Sequence, residues 1–453
     1  MPTNIQKMRD LLSLRPRYIH QPSLLLYSLP TEIIELIARE LELSDLSFLR
    51  LVCKSLSHKT IHYFGLTYFT DVHTSLSFAS LEKLQQISQH EQLCHYVRKL
   101  LIKGPHGIGR GFSWYRNPSR SLIFPHPAVR IVRESLLALE NCRSFCLYND
   151  GQHKYGQRYE RGCLRPSDAV TIILHIVAET GLPVKAFAAN FITFCETCVD
   201  PALLHLESYR TPKFRGAWSQ LRELSLRQEV DGHNFEWIKN LIISAPNLQS
   251  LTMDFGIEMT NYFFSRVKSC EAFPRLQEVN ISGLRFLSES FFDFLFSFKD
   301  SLRVLRLSNF LLDAPQSWKS FFPLLKTELP LLETISVYLI KELIWIQKNG
   351  IWGQVIEVIT FPGFLGTPYA TNFESTKLSL HQGWNEVDVS DYHKRSVFRS
   401  VPLRPGVSGL DLEKFIITRE KYCSVPKSVH GFSYSGTNMS EILDMLAELA
   451  FTR

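Results

Sequence analysis

Two cysteines of this chain have the spacing of a metal or redox site. Cys195 and Cys198 form a C-x-x-C pair, which can be half of a zinc site or a thiol–disulfide redox pair. A structural zinc ion takes four ligands, and the other candidates, Cys163, His175 and His205, are scattered rather than paired. We therefore expect ordinary semi-buried cysteines here, with no metal and no other cofactor.

Three glycines at alternate positions suggest a phosphate-binding loop. Gly107, Gly109 and Gly111 follow a predicted strand that ends near Ile102. A phosphate loop ends in Gly-Lys-Ser/Thr and leads into a helix, whereas this segment lacks that ending and Pro118 interrupts any helix after it. The pattern favours a flexible surface loop.

Other catalytic patterns are incomplete. His90 and His95 are separated by five positions, which puts them on different faces of a helix and misses the zinc-protease spacing. The sequence contains neither a G-x-S-x-G elbow nor the protein-kinase signature set. Ser, His and Asp abound, but the sequence does not show which of them meet, so a catalytic triad is neither supported nor excluded. We predict that the chain is not an enzyme.

The composition narrows the class of protein. With 453 residues, 45% of them hydrophobic, and 32 Phe, the chain is predicted to fold as a large array or several domains with an aromatic-rich core. The net charge of +6 includes no run of five like charges, so nucleic-acid binding is not expected. Nine irregularly spaced Cys favour a reducing compartment, the cytoplasm or nucleus.

Membrane attachment is also not expected. The longest apolar stretches, such as residues 171–178 and 240–245, are far shorter than the roughly 20 residues of a membrane span. Residues 1–27 contain a short apolar run without a small-residue cleavage site after it. We interpret residues 1–27 as an N-terminal extension rather than a targeting signal.

Five segments between residues 218 and 340 share an apolar residue at positions i, i+3 and i+5. The segments begin at Leu221, Leu248, Leu276, Leu302 and Leu332. Their starts lie 27, 28, 26 and 30 residues apart, which is the period of a unit made of one strand and one helix. Weaker copies begin at Val97, Cys142 and Val184, with longer gaps that imply insertions. The pattern predicts a repeat domain over residues 67–362, followed by a capping segment over 363–453.

A short helical module precedes these segments. A first helix is predicted to start after Pro30, with Ile33, Ile34, Ile37 and Leu41 in its apolar stripe, and a second to start at Ser44 and run through Leu56. So short a segment cannot bury this much apolar surface by itself, because domains below about 40 residues usually need a metal, disulfides or a partner. The module is therefore predicted to dock onto another protein.

The same segment resembles the F-box motif. Leu-Pro-Thr-Glu-Ile at residues 29–33, Ser-Asp-Leu at 44–46 and Arg-Leu-Val-Cys-Lys at 50–54 occur in the order and spacing of that family. Leu56 departs from the pattern, because many members carry a bulky aromatic there. The resemblance implies an F-box-like domain at residues 28–66 that binds a Skp-type adaptor, and through it a cullin-RING ubiquitin ligase. It implies these adaptor-contacting or core residues: Leu29, Pro30, Ile33, Ile37, Leu46, Leu49, Val52 and Cys53.

The repeated segments resemble leucine-rich repeats, a common companion of the F-box. They lack the Asn that usually follows the last Leu by three residues, so no asparagine ladder can form. The expected fold is thus α/β, with a helical module followed by a solenoid of strand–helix units. If the strands are parallel, their outward positions form a polar strip that could hold a protein target. Candidate target contacts are Arg227, Asp254, Asn280, Arg306 and Tyr338.

Three functions compete at this point. The first is a substrate-recognition subunit of a ubiquitin ligase, without activity of its own. The second is a scaffold that uses the same helical module and repeats in a complex that recruits no cullin. The third is an enzyme on an α/β fold, which the uniform spacing of the five segments argues against. The target protein is not specified by the sequence under any of them.

Overall fold

The structure is a computed structural model, and the chain divides into two compact units after Thr70. It describes residues 25–103, 108–148, 164–190, 211–230, 235–255, 263–264, 275–283, 289–313, 318–338, 341–348, 351–358, 397–399, 415–419, 431–436 and 439–449.

The first unit is built from four α-helices preceded by a 3-10 turn at Leu26–Ser28. The helices are α1 (Thr31–Arg39), α2 (Leu43–Val52), α3 (Lys54–Lys59) and α4 (Ile61–Tyr68). Helix α3 packs against each of the other three, and α1 also packs against α4. The small core between them contains Ile34, Ala38, Leu46 and Leu56, each no more than 2% exposed.

Two details of the predicted module are wrong. The second helix does not run through Leu56, because Cys53 adopts an extended backbone (φ −160°, ψ 160°) that separates α2 from α3. Of the predicted apolar stripe, Ile34 is buried in the core beside Ala38, and Ile37 and Leu41 are half-buried, but Ile33 is exposed. Neighbouring residues of a helix are about 100° apart, so an apolar run leaves open which of its members points inward.

The second unit is a mixed α/β structure built on a twelve-stranded sheet. Nine strands are parallel and adjacent in chain order: β1 (Asp71–Thr74), β2 (Lys99–Ile102), β3 (Ser144–Tyr148), β4 (Ala186–Asn190), β5 (Glu223–Val230), β6 (Ser250–Phe255), β7 (Glu278–Ser282), β8 (Val304–Ser308) and β10 (Thr334–Tyr338). The predicted α/β class is confirmed at this level.

Six further strands complete the described sheets. Beyond β10 the large sheet continues with three antiparallel strands: β15 (Gly431–Ser435), β14 (Phe415–Arg419) and β13 (Val397–Arg399). A separate three-stranded sheet has the order β12-β11-β9: β9 (Leu311–Asp313), β11 (Lys341–Lys348) and β12 (Ile351–Val358). Strand β15 pairs with β10 along its whole length and so covers the last parallel strand.

Helices lie between the parallel strands. They are α5 (Phe78–Gln89), α6 (Pro127–Ala138), α7 (Pro166–Thr180), α8 (Pro212–Trp218), α9 (Phe235–Ile243), α10 (Glu289–Phe296) and α11 (Trp318–Glu328), with α12 (Met439–Leu449) after β15. Prolines begin α6, α7 and α8, where the missing N–H costs no helical hydrogen bond. None of the helices in the described part of the chain has the length and apolar character to cross a bilayer.

The apolar positions of the sequence pattern form buried rows across the parallel strands. The i+3 residues pair directly from strand to strand in the order Leu100, Phe145, Phe187, Leu224, Leu251, Val279, Leu305, Ile335. Each of them is at most 1% exposed. The five clear segments are therefore β5 to β8 and β10, and the three weaker ones are β2 to β4. The pattern missed β1, because Thr74 stands where the other strands have an apolar residue.

Candidate interaction surfaces

Exposed apolar side chains are concentrated in the first unit. Sixteen large apolar residues are exposed in the part of the chain that the structure describes, and ten of them lie between Leu25 and Leu66. At the end of α2, Phe48 is 67%, Leu51 81% and Val52 71% exposed. These three are spaced three and four residues apart, so they share one face of the helix. We call them the α2 apolar face.

Further apolar side chains are exposed on neighbouring segments of the same unit. They are Leu25, Leu26 and Tyr27 before α1, Ile33 and Leu36 on α1, Leu43 on α2 and Leu66 on α4. A large apolar side chain gains roughly 1.5 to 3 kcal/mol when it moves from water into a buried site. Clusters of such side chains on a folded unit mark protein-binding sites.

Polar contacts of Arg50 fix α2 against the two helices that follow it. Its Nη1 donates hydrogen bonds to the carbonyl oxygen of Ser57 (2.7 Å) and to Oγ1 of Thr60 (3.2 Å). Its guanidinium also lies 4.0 Å above the ring of Phe64, a cation–π contact. Burial lowers the pKa of Arg50, although a guanidinium keeps its charge at every physiological pH. One side of α2 is thus tied to α3 and α4, which leaves the α2 apolar face exposed.

The eight adaptor-contacting or core residues that the F-box resemblance implies differ in how exposed their side chains are. Pro30, Ile33 and Val52 are exposed. Half-buried are Leu29, Ile37, Leu49 and Cys53. Leu46 is fully buried, so of the two roles left open for it, adaptor contact or core, the structure favours the core.

Three strongly exposed residues, Leu36, Phe48 and Leu51, are not among the predicted adaptor contacts. All three stand among apolar neighbours, and apolar spacing predicts only one buried stripe per helix. A signal was present for two of them, since Phe48 and Leu51 lie with Val52 at helical spacing on the side opposite Leu46. Helix α2 is apolar on two sides, and a second apolar side without a covering element indicates a docking face.

The second candidate surface is the face of the parallel sheet opposite the buried rows. Thr252, Asn280, Arg306 and Ser336 are direct partners on β6, β7, β8 and β10. Two of the predicted target contacts, Asn280 and Arg306, are therefore neighbours. Asn280 is only 8% exposed, so it contributes little area to a binding surface.

An ion pair crosses this row. Arg306 Nη1 contacts Glu278 Oε1 across β7 and β8, and the two side chains are 21% and 33% exposed. Burial lowers the pKa of Arg306, yet it stays a cation at neutral pH. Because Glu278 already balances this charge, Arg306 is poorly suited to bind a phosphate group on a target.

The remaining predicted target contacts lie in other places on the sheet. Asp254 and Tyr338 belong to one row, but Ser282 and Ser308 lie between them. Three strand spacings separate them, about 14 Å at the usual distance between strands. Arg227 pairs with Asn190 of β4, and the register between β5 and β6 shifts after Leu226. The five residues therefore share a sheet face but form no single cluster.

A hydrogen-bonded group on this face was not anticipated. Asn190 is 5% exposed, accepts a hydrogen bond from Ser225 Oγ (3.1 Å) and lies 3.9 Å from Cys146 Sγ through its amide nitrogen. These three residues occupy neighbouring strands β3, β4 and β5. The alternation of the strands locates such residues on the outward face, but one sequence does not show that they bond.

The motifs that suggested metal or phosphate chemistry do not form such sites in the described residues. No group of three or more metal-ligating side chains occurs there, and Cys195 and Cys198 lie outside those residues. Gly109 and Gly111 have positive φ, and a Cβ on Gly109 would meet Leu164 Cγ at 2.6 Å. The expected flexible loop is, over residues 108–111, a closely packed turn with no helix directly after it.

Comparison of the chain with models of protein families finds no match, and comparison with curated proteins finds none either. The fold makes this chain a mixed α/β protein.

Proposed function

We propose that this protein is the substrate-recognition subunit of a Skp-cullin-F-box ubiquitin ligase. Residues 28–66, in the first unit, form the F-box-like domain that binds a Skp-type adaptor, and the second unit holds a protein target. The chain has no catalytic role in this proposal, because other subunits of the ligase transfer ubiquitin. The observation that carries the proposal is the α2 apolar face, Phe48, Leu51 and Val52, left uncovered on a helix whose other side is packed.

The first unit does not need these side chains for its own core. Ile34, Leu46 and Leu56 are buried without them, and Arg50 supplies polar contacts between the helices. Apolar residues that are costly in water and unnecessary for folding indicate a partner that buries them. The F-box resemblance of residues 29–54 supplies the class of partner.

We propose further that the parallel strands form a leucine-rich-repeat-like solenoid. Nine parallel strands follow chain order, and helices intervene between them. In a solenoid each unit contacts its neighbours in this way, and the strand face is the usual binding surface. The absence of the asparagine ladder in the sequence makes this array a degenerate one.

Co-expression with the host's Skp-type adaptor tests the proposal. The wild-type chain is expected to co-purify with the adaptor, and a Leu29→Ala, Pro30→Ala double substitution is expected to lose it. Leu137→Ala serves as the control, because Leu137 is also exposed (52%) but belongs to α6 in the second unit. Loss of the adaptor by the control variant, or no co-purification of wild type, would contradict the proposal.

A scaffold that recruits no ligase is the second candidate. The scaffold uses the same α2 apolar face and the same sheet. The ligase subunit and the scaffold therefore differ only in whether the complex with the adaptor also contains a cullin. Adding the host's cullin to the purified complex separates them. A ternary complex that contains the cullin supports the ligase, whereas a binary complex that never takes up cullin supports the scaffold.

A further inference from the structure

The residues that stand directly before the parallel strands form a ladder of their own across the sheet. Before β2, β3, β4 and β5 they are Arg98, Arg143, Lys185 and Arg222. The backbone N–H of Arg143 donates to the carbonyl oxygen of Arg98 (3.1 Å), that of Lys185 to Arg143 (2.7 Å) and that of Arg222 to Lys185 (2.8 Å). Four cationic residues therefore stand side by side, and we call them the basic row.

The backbone has the same geometry at every step of the ladder. The carbonyl oxygen of Arg98 accepts from the N–H groups of two successive residues, Arg143 and Ser144, and the same double acceptance recurs at Arg143 and Lys185. Equivalent positions on parallel strands in register point their side chains the same way. Neighbouring strands lie about 4.8 Å apart, so the basic row is about 14 Å long.

The other end of the ladder shows how side chains at this position interact. The ladder continues through Gln249, Gln277, Arg303 and Glu333. Arg303 Nη1 contacts Glu333 Oε1 across β8 and β10, so side chains at this position reach each other between adjacent strands. In the basic row the neighbours instead carry the same charge, and like charges opposite one another on adjacent strands destabilise a sheet.

The described part of the chain does not neutralise the basic row. Among the residues that the structure describes, none pairs its carboxylate with one of the four cations. Three of the four side chains are exposed, and Arg143 is half-buried. All four are thus open to solvent and to a ligand.

The groups around the basic row leave an excess of positive charge. The next position of the four strands holds Lys99, Ser144, Ala186 and Glu223. Asp71 of β1 is the partner of Lys99, so the acids at this position flank the row, and its central members, Arg143 and Lys185, have uncharged neighbours there. Glu140, three residues before Arg143, is exposed. Counting the register neighbours and the residues within three positions of the row, five basic groups face three acids.

An acidic stretch of polypeptide matches the row in length and charge. An extended chain advances about 3.3 Å per residue, so four or five residues cover about 14 Å and bring their carboxylates within reach of charge-assisted hydrogen bonds. A nucleic acid fits less well, because it is typically held by about six to ten phosphate contacts or by stacking rings. Residues 95–101, 140–146, 182–188 and 219–225, all described, contain no exposed Phe, Tyr or Trp.

We propose that the basic row binds an acidic segment of a protein, which lies across the amino ends of β2 to β5. The outward face of these strands is the one proposed to hold the ligase target, and the inference rests on the proposed function in taking the acidic segment as part of that target. The binding itself requires no adaptor.

The test is a fluorescence-anisotropy titration of the full chain with labelled peptides of equal length. The peptides differ only in a central block of six residues, which are Glu, Gln or Lys, and an oligothymidylate of the same length is the fourth probe. The wild-type chain is expected to bind the Glu peptide at least about tenfold more tightly than the Gln peptide, which has nearly the same shape without the charge. This preference should shrink as salt is added.

Charge reversal in the middle of the basic row locates the site. Arg143→Glu with Lys185→Glu is expected to weaken binding of the Glu peptide at least about tenfold, because two attractions become repulsions, and to leave binding of the Gln peptide unchanged.

The matched control is Arg303→Glu with Lys299→Glu, which changes the net charge equally. Arg303 occupies the same ladder position three strands beyond Arg222 and is already paired with Glu333, so this variant should bind the Glu peptide as wild type does. Gln249→Lys lengthens the row by one cation and should tighten binding about twofold to threefold, the size of one exposed ion pair.

Thermal unfolding of the same variants separates binding from folding. Arg143, Lys185 and Arg222 follow the C-terminal ends of α6, α7 and α8 by four or five residues, where cations offset partial negative charge. A row that served only the fold would give the Arg143 and Lys185 variant a lower melting temperature and unchanged peptide binding, and this result would overturn the proposal. Equal binding of the Glu and Gln peptides, equal losses in the two double variants, no tightening by Gln249→Lys, or preference for the oligothymidylate would also overturn it.

Adaptor co-purification is measured on the same variants and is expected to be unaffected. Binding of the Glu peptide without adaptor binding would contradict the proposed ligase function and leave the basic row as a binding site. The reverse result would contradict only the role of the basic row.

Discussion

The ammonium nitrogen of Lys59 lies 2.5 Å from the backbone carbonyl oxygen of Leu29 and donates a hydrogen bond to it. The same nitrogen donates to the carbonyl oxygen of Tyr27 at 2.8 Å. A single side chain of α3 thus holds the segment that leads into α1, including the turn that exposes Leu26 and Tyr27. Lys59 therefore positions part of the proposed adaptor surface without belonging to it.

Replacing Lys59 by Met removes both hydrogen bonds and keeps most of the side chain's length. Adaptor affinity is expected to fall roughly threefold to tenfold, because losing one or two partly exposed hydrogen bonds typically costs about 1 kcal/mol. Calorimetric titration with the adaptor measures the effect. Lys54→Met is the control, since Lys54 lies on the same helix and is exposed. Equal losses in both variants would show that charge, not the fixing of residues 27–29, matters.

Leu46 and Leu51 belong to the same helix but should respond differently to truncation. Leu46→Ala is expected to destabilise the first unit by about 2 to 5 kcal/mol, because it leaves a cavity in the core. Leu51→Ala, at an 81% exposed position, should change the free energy of unfolding by no more than about 0.5 kcal/mol and act on adaptor binding instead. Denaturant unfolding measures the free energy of unfolding of both variants. Similar losses of stability would contradict the placement of Leu46 in the core and Leu51 on the surface.

Gly109 and Gly216 offer a matched pair of substitutions. Gly109→Ala places a Cβ against Leu164 and Trp114 at a residue with φ +83°, and should destabilise the second unit by about 1 to 3 kcal/mol. Gly216→Ala meets no atom within 4 Å on α8 and should stabilise by roughly 0.4 to 1 kcal/mol. Thermal unfolding measures both. Equal effects of the two substitutions would contradict the close packing of Gly109.

The thiol of Cys142 should be unreactive toward alkylating reagents at neutral pH. Burial raises its pKa to about 12 from an ordinary value of 9.0, and only the thiolate reacts with alkylating reagents. Iodoacetamide at pH 8 is expected to label the half-buried Cys53 before Cys142, as read by mass spectrometry. Because the folded-state pKa is raised, the stabilising effect of this neutral thiol is complete below pH 9 and is lost as the pH rises toward 12. Early labelling of Cys142 would contradict its burial.

Much of the sheet could be predicted from the sequence because each strand repeats the same burial pattern. Leu224, Leu251 and Leu305 occur at one position of a segment of nearly constant length, and parallel pairing then brings them into one row. The apolar pattern does not include strand β1, because Thr74 in that strand is buried but polar. Hydrophobic periodicity identifies buried positions only where their side chains are apolar, so it does not identify a buried hydroxyl group.

The surfaces were harder to predict than the strands. Residues 48, 51 and 52 are as apolar as the core residue Leu46, and a helix that is apolar on two sides does not show which side is covered. The break at Cys53 was hidden because the apolar spacing continues across it. Arg116 and Asp168 are 52 residues apart in the chain, so only the fold brings them together. For the same reason, the sequence does not show that Arg306 pairs with Glu278.

The most direct test of the central claim is the affinity of the purified full chain for a purified Skp-type adaptor, with and without Phe48→Ala and Leu51→Ala. If the α2 apolar face is the docking surface, the double variant should bind at least about thirtyfold more weakly, since two truncations at the centre of an interface that each cost about 1 kcal/mol or more add to at least about 2 kcal/mol. Its unfolding should stay unchanged, and Leu137→Ala should bind as wild type does. An adaptor affinity that is the same for wild type and double variant would contradict the account.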